Sequence, residues 1–192
     1  MSIPREVALI TVPQEGIRLV QTPIQELQQL RMSGEKWKTP QTITPGSNLL
    51  AGLQDDTYEI EAEFELDTAA EFGFKIRKGD GDETIVGYDT TGSQMFVNRT
   101  KSGNTQFSPF FPGESRAPLA PVRNRIKLHL FVDRSSVEVF GNRGEQVITS
   151  LIFPSPDSRD VELYAKNGNV KLIALHFFHL KSAWRDEQVS PR

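Results

Sequence analysis

The sequence predicts an all-β protein, a sandwich of two antiparallel sheets of the jelly-roll or concanavalin-like type with one short helical segment. Apolar and polar residues alternate in several runs, most clearly over residues 57–67 and 126–132. This period of two is typical of strands with one buried face. Turn-forming pairs such as Asn167-Gly168 separate the runs, which favours short antiparallel connections.

Strand-forming runs recur along the whole chain, and about ten strands are expected. The runs are 5–12, 17–20, 58–66, 72–76, 84–88, 94–99, 126–132, 137–140, 147–153, 161–166 and 170–180. Leu128 and Leu130 are predicted to face the core from one of these strands. Proline and glycine punctuate residues 34–48, which predicts a loop with one short strand. Residues 100–121 predict an irregular loop long enough to be functional.

The one helical segment is predicted at residues 23–31. Pro23 suits the first position of a helix, and Leu27 and Leu30 recur at helical spacing. One or two turns are expected, so the segment serves as a connection rather than as a packing layer.

Length and composition indicate a single globular domain and exclude several classes of partner. The 192 residues are 37% hydrophobic and 24% charged, with a net charge of -3 and no basic block, so we expect no nucleic-acid partner. No apolar run approaches the roughly 18 residues that cross a bilayer, so we expect no membrane partner. The absence of cysteine excludes disulfides, thiolate metal sites and a cysteine nucleophile. The N-terminus lacks a signal-peptide pattern, which leaves open an intracellular protein or a piece whose signal lay upstream.

Four ordered stretches together resemble one enzyme family. Residues 128–140 read Leu-His-Leu-Phe-Val-Asp-Arg-Ser-Ser-Val-Glu-Val-Phe and are followed by Phe153-Pro154; this run resembles the C-terminal sandwich of glycoside hydrolase family 32. Residues 1–6 resemble the segment in which that family's chain leaves its catalytic propeller, and residues 18–31 resemble the linker that follows. Gly87-Tyr88-Asp89 and Asn98-Arg99-Thr100 match two further stretches, with Asn98 where relatives carry aspartate. The family contains invertases, levanases and inulinases.

The resemblance implies a domain without catalytic residues of its own. The family's retaining mechanism uses two carboxylates, carried in Trp-Met/Leu-Asn-Asp-Pro-Asn and Glu-Cys motifs, with a third aspartate in Arg-Asp-Pro. None of these motifs occurs here, since Arg159-Asp160 precedes Val161 and the chain has no cysteine. We therefore predict no catalytic residue, no cofactor and no metal in this chain. We also expect Met1 to be an internal residue of a longer protein whose propeller lies upstream.

These observations predict a segment and linker at residues 1–31 and a β-sandwich domain at residues 32–192. The expected function is that of a non-catalytic accessory domain of a fructan- or sucrose-hydrolysing glycosidase, which stabilises the catalytic propeller and takes part in oligomerisation. A free-standing fructan-binding module is the first alternative, and an enzyme with an unrecognised site is the second. Sucrose, levan and inulin are not distinguished as the parent's substrate.

Two charged constellations have a structural and a functional interpretation. Glu59, Glu61, Glu63 and Glu65 would form either a solvated outer face opposite basic residues or a cation site. The cluster at 79–83 predicts a turn, because an EF-hand loop starting there would lack its glutamate. For both, we expect the structural interpretation.

The histidines and a serine-rich stretch also suggest chemistry at first sight. His176 and His179 would point to opposite faces of a strand, and His129 stands alone in sequence, so no metal site is expected. Asp133, Ser135, Ser136 and Glu138 lack a nearby histidine base and predict a turn, with Arg134 pairing a carboxylate. We expect structural roles for both groups.

The sugar-binding candidates are aromatic: Trp37, Phe110, Phe111 and Trp184, with Phe107 beside the phenylalanine pair. Core packing and contact with the propeller are the favoured interpretations of these rings, and a carbohydrate platform is the alternative. We expect the propeller to be a partner, with fructan or a sucrose-type sugar as a further ligand. Ile3, Val7 and Leu9 are expected to be exposed without the propeller and to favour a two-fold dimer.

Overall fold

The all-β prediction is confirmed by the structure, a computed structural model that describes residues 2–12 and 16–183. Fourteen strands and one short 3-10 helix, Gln25–Leu30, make up the regular structure of this part of the chain. None of its helices is long and apolar enough to cross a membrane. The strands are β1 Arg5–Val12, β2 Gly16–Pro23, β3 Arg31–Lys36, β4 Gln41–Ile43, β5 Tyr58–Glu65, β6 Glu71–Gly79, β7 Asp82–Asp89, β8 Gln94–Lys101, β9 Glu114–Pro118, β10 Arg125–Asp133, β11 Ser136–Gly141, β12 Gln146–Leu151, β13 Asp160–Lys166 and β14 Val170–Leu180.

Two antiparallel sheets pack face to face. The seven-stranded sheet has the order β12-β11-β10-β5-β14-β3, with β4 also paired to β14, and the five-stranded sheet has the order β13-β6-β7-β8-β9. Strands β1 and β2 form a separate hairpin. The short helix predicted at residues 23–31 is found as the 3-10 helix Gln25–Leu30. Pro23 is the last residue of β2 and not the first residue of the helix.

The core lies between the two sheets and follows the alternation in the sequence. Tyr58, Ile60 and Phe64 of β5 are fully buried, as are Leu128 and Leu130 of β10. The inward direction predicted for these two leucines is confirmed. Rings from the two sheets meet in the centre, where the centroid of Phe64 lies 4.8 Å from that of Phe72.

Two edge strands contradict the sequence prediction. Residues 100–121 include β9, which pairs with β8, and β3 pairs with β14 within residues that predict helix and loop. Both strands border one neighbour only, and most of their residues are exposed. An edge strand of this kind does not need alternating apolar residues, so the period of two is missing from its sequence.

Candidate functional site

Three of the four glutamates of β5 lie in register with a basic residue on at least one neighbouring strand, whereas Glu59 lies opposite a phenylalanine on each side. Glu61 is paired with His129 of β10 and His176 of β14, and Glu63 with Lys127 of β10. Arg125 contacts Glu63 and Glu65 at 3.1 and 3.3 Å. The prediction of basic residues opposite this ladder is therefore confirmed for Glu61, Glu63 and Glu65 but not for Glu59.

Glu59 departs from the solvated face that the sequence predicts. Its side chain is 1% exposed, and Arg31 donates two hydrogen bonds to it, of 2.7 and 2.6 Å. His129 Nε2 lies 2.6 Å from the same carboxylate, and the Arg31 guanidinium stacks on Phe178 with its carbon 4.0 Å from the ring centroid. The sequence pattern does not reveal this burial, because Arg31 comes from the edge strand β3.

The charge state of Glu59 follows from these contacts. Burial raises the pKa of this carboxyl, but the hydrogen bonds from Arg31 and His129 outweigh burial and hold the pKa below its ordinary value. Glu59, Glu61 and His129 bring their ligand atoms within 4.8 Å of one another, a spacing that a cation could use. The Arg31 guanidinium already supplies positive charge there, which favours an ion-pair network.

The histidines separate as the strand geometry predicts, with one correction. His176 Nδ1 lies 3.5 Å from Glu61, whereas His179 Nδ1 contacts Asp55, so the two do not share a ligand group. His129 is not alone, because pairing of β10 with β5 places it beside Glu59. That partner is 70 residues away in sequence, and only the sheet order could have revealed it.

The stretch from Asp133 to Glu138 forms a strand turn, as predicted. Asp133 pairs with Ser136 across the turn, and the Asp133 carboxylate accepts a hydrogen bond from the Arg134 backbone at 2.7 Å. Arg134 donates to the Asp56 carboxylate at 3.0 Å. The turn predicted at residues 79–83 is also found, and the Asp82 carboxylate accepts from the Ser155 backbone at 2.7 Å.

The aromatic candidates do not form one group. Trp37 follows β3 at one edge of the seven-stranded sheet and packs, half-buried, against the core. Phe110 and Phe111 lie in the loop between β8 and β9, near Phe153, which follows β12 at the opposite edge. Five strand spacings of about 4.8 Å separate the two edges. Trp184 lies outside the described residues.

Two of the three phenylalanines of this loop, Phe107 and Phe111, cluster with Phe153, and Phe110 lies next to them in the chain. Ring centroids lie 4.7 Å apart for Phe107 and Phe111, 5.5 Å for Phe107 and Phe153, and 5.3 Å for Phe111 and Phe153. The guanidinium carbon of Arg99 is 4.2 Å from the centroid of Phe111. We call Arg99, Phe107, Phe110, Phe111 and Phe153 the aromatic platform. The sequence does not predict that Phe153 and Arg99 belong to this group, because both lie outside the loop.

The N-terminal hairpin carries a row of exposed apolar side chains on one face. The registers Leu9–Leu19 and Thr11–Ile17 put these side chains on a common face with Val7. The four apolar residues of this face are each more than half exposed: Val7, Leu9, Ile17 and Leu19. We call them the hairpin face. The sequence predicted exposure of Val7 and Leu9, whereas Ile3 is half-buried.

Backbone and side-chain contacts fasten the hairpin to the sandwich. The Gln21 N–H donates to the Gly144 carbonyl at 2.9 Å, and Val20 is buried on the inner face of the hairpin. Arg5 forms an ion pair with the buried Glu138 and donates to Thr149 Oγ1 at 2.6 Å. The hairpin is therefore attached to the sandwich through Arg5, Val20 and Gln21, while the four side chains of the hairpin face stay exposed.

The sequence of this chain is similar to the C-terminal domains of one family of glycosidases. Residues 26–179 match the model of the glycosyl hydrolases family 32 C-terminal domain. The chain belongs to this family. The levanase of Bacillus subtilis (strain 168) is 52% identical over 187 residues, which are 95% of this chain and 27% of the levanase. The extracellular exo-inulinase of Aspergillus awamori is 32% identical over 189 residues, 96% of this chain and 35% of the inulinase.

Solved structures agree with the assignment to family 32. The exo-inulinase crystal structure from Aspergillus awamori superposes with a TM-score of 0.85 at 31% identity, covering 95% of this chain and 36% of that chain. Fructan 1-exohydrolase IIa from Cichorium intybus shares the fold, with a TM-score of 0.79 at 18% identity, over 95% of this chain and 41% of that chain. The family 32 domain described here thus spans between a quarter and two fifths of the length of these relatives.

Proposed function

We propose that this family 32 domain is the non-catalytic accessory domain of a glycosidase that hydrolyses fructan or sucrose, and that it stabilises the catalytic domain by packing against it. The observation that carries the proposal is the hairpin face. Four large apolar side chains stand together on a support that the sandwich holds in place. Exposed apolar patches rimmed by polar residues are typical of interaction surfaces.

The relatives supply the class of partner. A levanase and an exo-inulinase each match this chain over about a third of their length or less, so each carries a larger remainder. A domain that packs on that remainder needs an outward apolar surface near the connection. The hairpin face meets this requirement, since it lies before the start of the family match at residue 26.

We expect the isolated chain to release no fructose from sucrose, levan or inulin. The chain contains none of the three carboxylate motifs that the family's retaining mechanism requires. Purified protein is assayed for reducing sugar beside a blank without protein. Fructose release that persists through a second purification would contradict the expectation.

We expect the chain to raise the melting temperature of a separately prepared catalytic domain from a family 32 levanase, because docking hides apolar surface on both partners. Leu9→Asp combined with Leu19→Asp should abolish this rise, since it places two charges on the hairpin face. Differential scanning calorimetry of the mixture measures the effect. Met32→Asp is the matched control, because Met32 is also exposed but lies on β3 at the far edge of the sheet.

Without a catalytic domain, the hairpin face is free to bind a second copy of the chain. We include this two-fold association in the proposal, and light scattering over a range of concentrations detects it. The Leu9→Asp and Leu19→Asp pair should then remain monomeric, while Met32→Asp should associate like the unaltered chain. If the catalytic domain melts at the same temperature when mixed with the Leu9→Asp and Leu19→Asp pair as when mixed with Met32→Asp, the hairpin face has no role in docking.

The second candidate function, a fructan-binding module, is favoured by the aromatic platform alone. Phe110 is 90% exposed, whereas Trp37 is held against the core. Binding and structural support do not exclude one another, because the platform and the hairpin face occupy different places on the molecule.

A further inference from the structure

We propose that the aromatic platform is a carbohydrate-binding site for β-fructan chains, built where the loop between β8 and β9 meets the end of β12. The proposal takes its ligand class, fructose polymers, from the proposed function. Its geometry comes from the platform: three clustered rings, one ring that is 90% exposed, and an arginine whose side-chain donors have no hydrogen-bond partner among the described residues.

The rings offer apolar faces to a sugar. Phe107 and Phe153 are 60% and 37% exposed beside Phe111, and Phe110 is 90% exposed next to Phe111 in the chain. The C–H groups of a furanose ring carry partial positive charge, and the face of an aromatic ring carries partial negative charge. A fructosyl residue can therefore stack on Phe110 or Phe107 while its hydroxyl groups remain in water.

Arg99 adds the polar half of the site. Its guanidinium lies over Phe111 and, within residues 2–12 and 16–183, makes neither a hydrogen bond nor an ion pair. Arg31, Arg116 and Arg125, in contrast, are each bound to two carboxylates. The N–H donors along the edge of Arg99 are thus available to sugar hydroxyl oxygens next to the stacking surface.

Backbone hydrogen bonds fix the Phe153 end of the platform to the start of the loop between β8 and β9. The Phe153 N–H donates to the Ser102 carbonyl at 2.9 Å, and the Asn104 N–H donates to the Phe153 carbonyl at 3.0 Å. Gly103 permits this close approach, because a Cβ there would lie 1.9 Å from the Phe153 oxygen at a φ of +92°. Such pre-organisation lowers the entropy that binding costs.

The platform has an exposed area that suits a small ligand. With about 150–250 Å² for a whole phenylalanine side chain, the exposed parts of Phe107, Phe110 and Phe153 amount to roughly 280–470 Å². The platform also lies about 13 Å along the chain beyond Thr149, which contacts Arg5 at the base of the hairpin. It is therefore a separate site of the size of one or two sugar rings.

Affinity electrophoresis in gels that contain levan, inulin or dextran tests the proposal. We expect levan or inulin to retard the unaltered chain, and dextran, a polymer of glucose, to leave its mobility unchanged. Phe110→Ala and Arg99→Ala should each weaken fructan affinity tenfold or more. Met32→Ala is the matched control and should leave affinity unchanged. Because Phe110 is 90% exposed, its variant should melt at the same temperature as the unaltered chain.

Three results would overturn the proposal: no retardation by either fructan, equal retardation by dextran, or fructan retardation that survives both platform substitutions. If Phe110→Ala removes the rise in melting temperature of the mixture with the catalytic domain, the platform packs on that domain instead of binding sugar. The proposed accessory function is tested separately by the Leu9→Asp and Leu19→Asp pair. This pair should abolish the rise in melting temperature of the mixture but leave retardation by fructan unchanged.

Discussion

Replacing Glu59 with glutamine is expected to lower the free energy of unfolding by about 3–5 kcal/mol. Glu59 is 1% exposed and accepts two hydrogen bonds from Arg31, with His129 at 2.6 Å. A neutral amide would leave the Arg31 guanidinium short of a counter-charge in a largely buried position, and that uncompensated charge is the main cost. Chemical denaturation of the two proteins at neutral pH measures the difference.

Glu61→Gln is the matched control for this prediction. Glu61 contacts the same guanidinium at 2.5 Å, but its side chain is 37% exposed, so water screens the interaction. A loss below about 1 kcal/mol is expected. The double change Glu59→Leu with Arg31→Met should recover much of the stability, because an apolar pair removes both buried charges. Equal losses for Glu59→Gln and Glu61→Gln would contradict the central place given to Glu59.

The same carboxylate should make stability depend on acid pH. Since the pKa of Glu59 is lower in the folded chain than in the unfolded chain, its contribution is full above the unfolded value of about 4.3. The contribution is lost as the pH falls through the lower, folded value. Below about pH 4 the stability difference between the unaltered chain and Glu59→Gln should therefore shrink.

Leu130→Ala is expected to lower the free energy of unfolding by about 2–5 kcal/mol. Leu130 is fully buried on the inner face of β10, so the substitution leaves a cavity between the two sheets. Leu151→Ala serves as the control, because Leu151 is 46% exposed at the end of β12 and should cost about 1 kcal/mol or less. Urea denaturation of both variants tests the prediction, and similar losses at the two positions would contradict it.

The inner faces of the sheets could be predicted from sequence, but the edges could not. The alternation in β5 and β10 reflects a core on one side only, and the buried leucines follow from it directly. Strands β3 and β9 lie at the sheet edges with few buried residues, so nothing in their composition distinguishes them from loops. Family-level features of residues 128–140 identified the domain despite these omissions.

The sites depended on contacts between distant parts of the chain. The acidic ladder is evident from residues 59–65. The burial of Glu59 beside Arg31, in contrast to the partly exposed Glu61, depends on the position of β3 and cannot be predicted from the ladder itself. Phe110 and Phe111 were recognisable as loop aromatics, whereas Phe153 joins them through a bridge to Gly103, 50 residues earlier. Local patterns therefore identified candidate residues, and pairing between strands decided which of them act together.

The contact between Gly144 and the hairpin has a mechanical consequence. A Cβ at Gly144 would lie 2.0 Å from the Gln21 carbonyl oxygen, so here main chain rests on main chain with no side chain between. A joint of this kind has little compliance, and the ion pair between Arg5 and Glu138 braces it a short distance away. We therefore expect the hairpin and the sandwich to move as one rigid unit. A domain that binds the hairpin face would therefore have its orientation relative to the sandwich set by this contact.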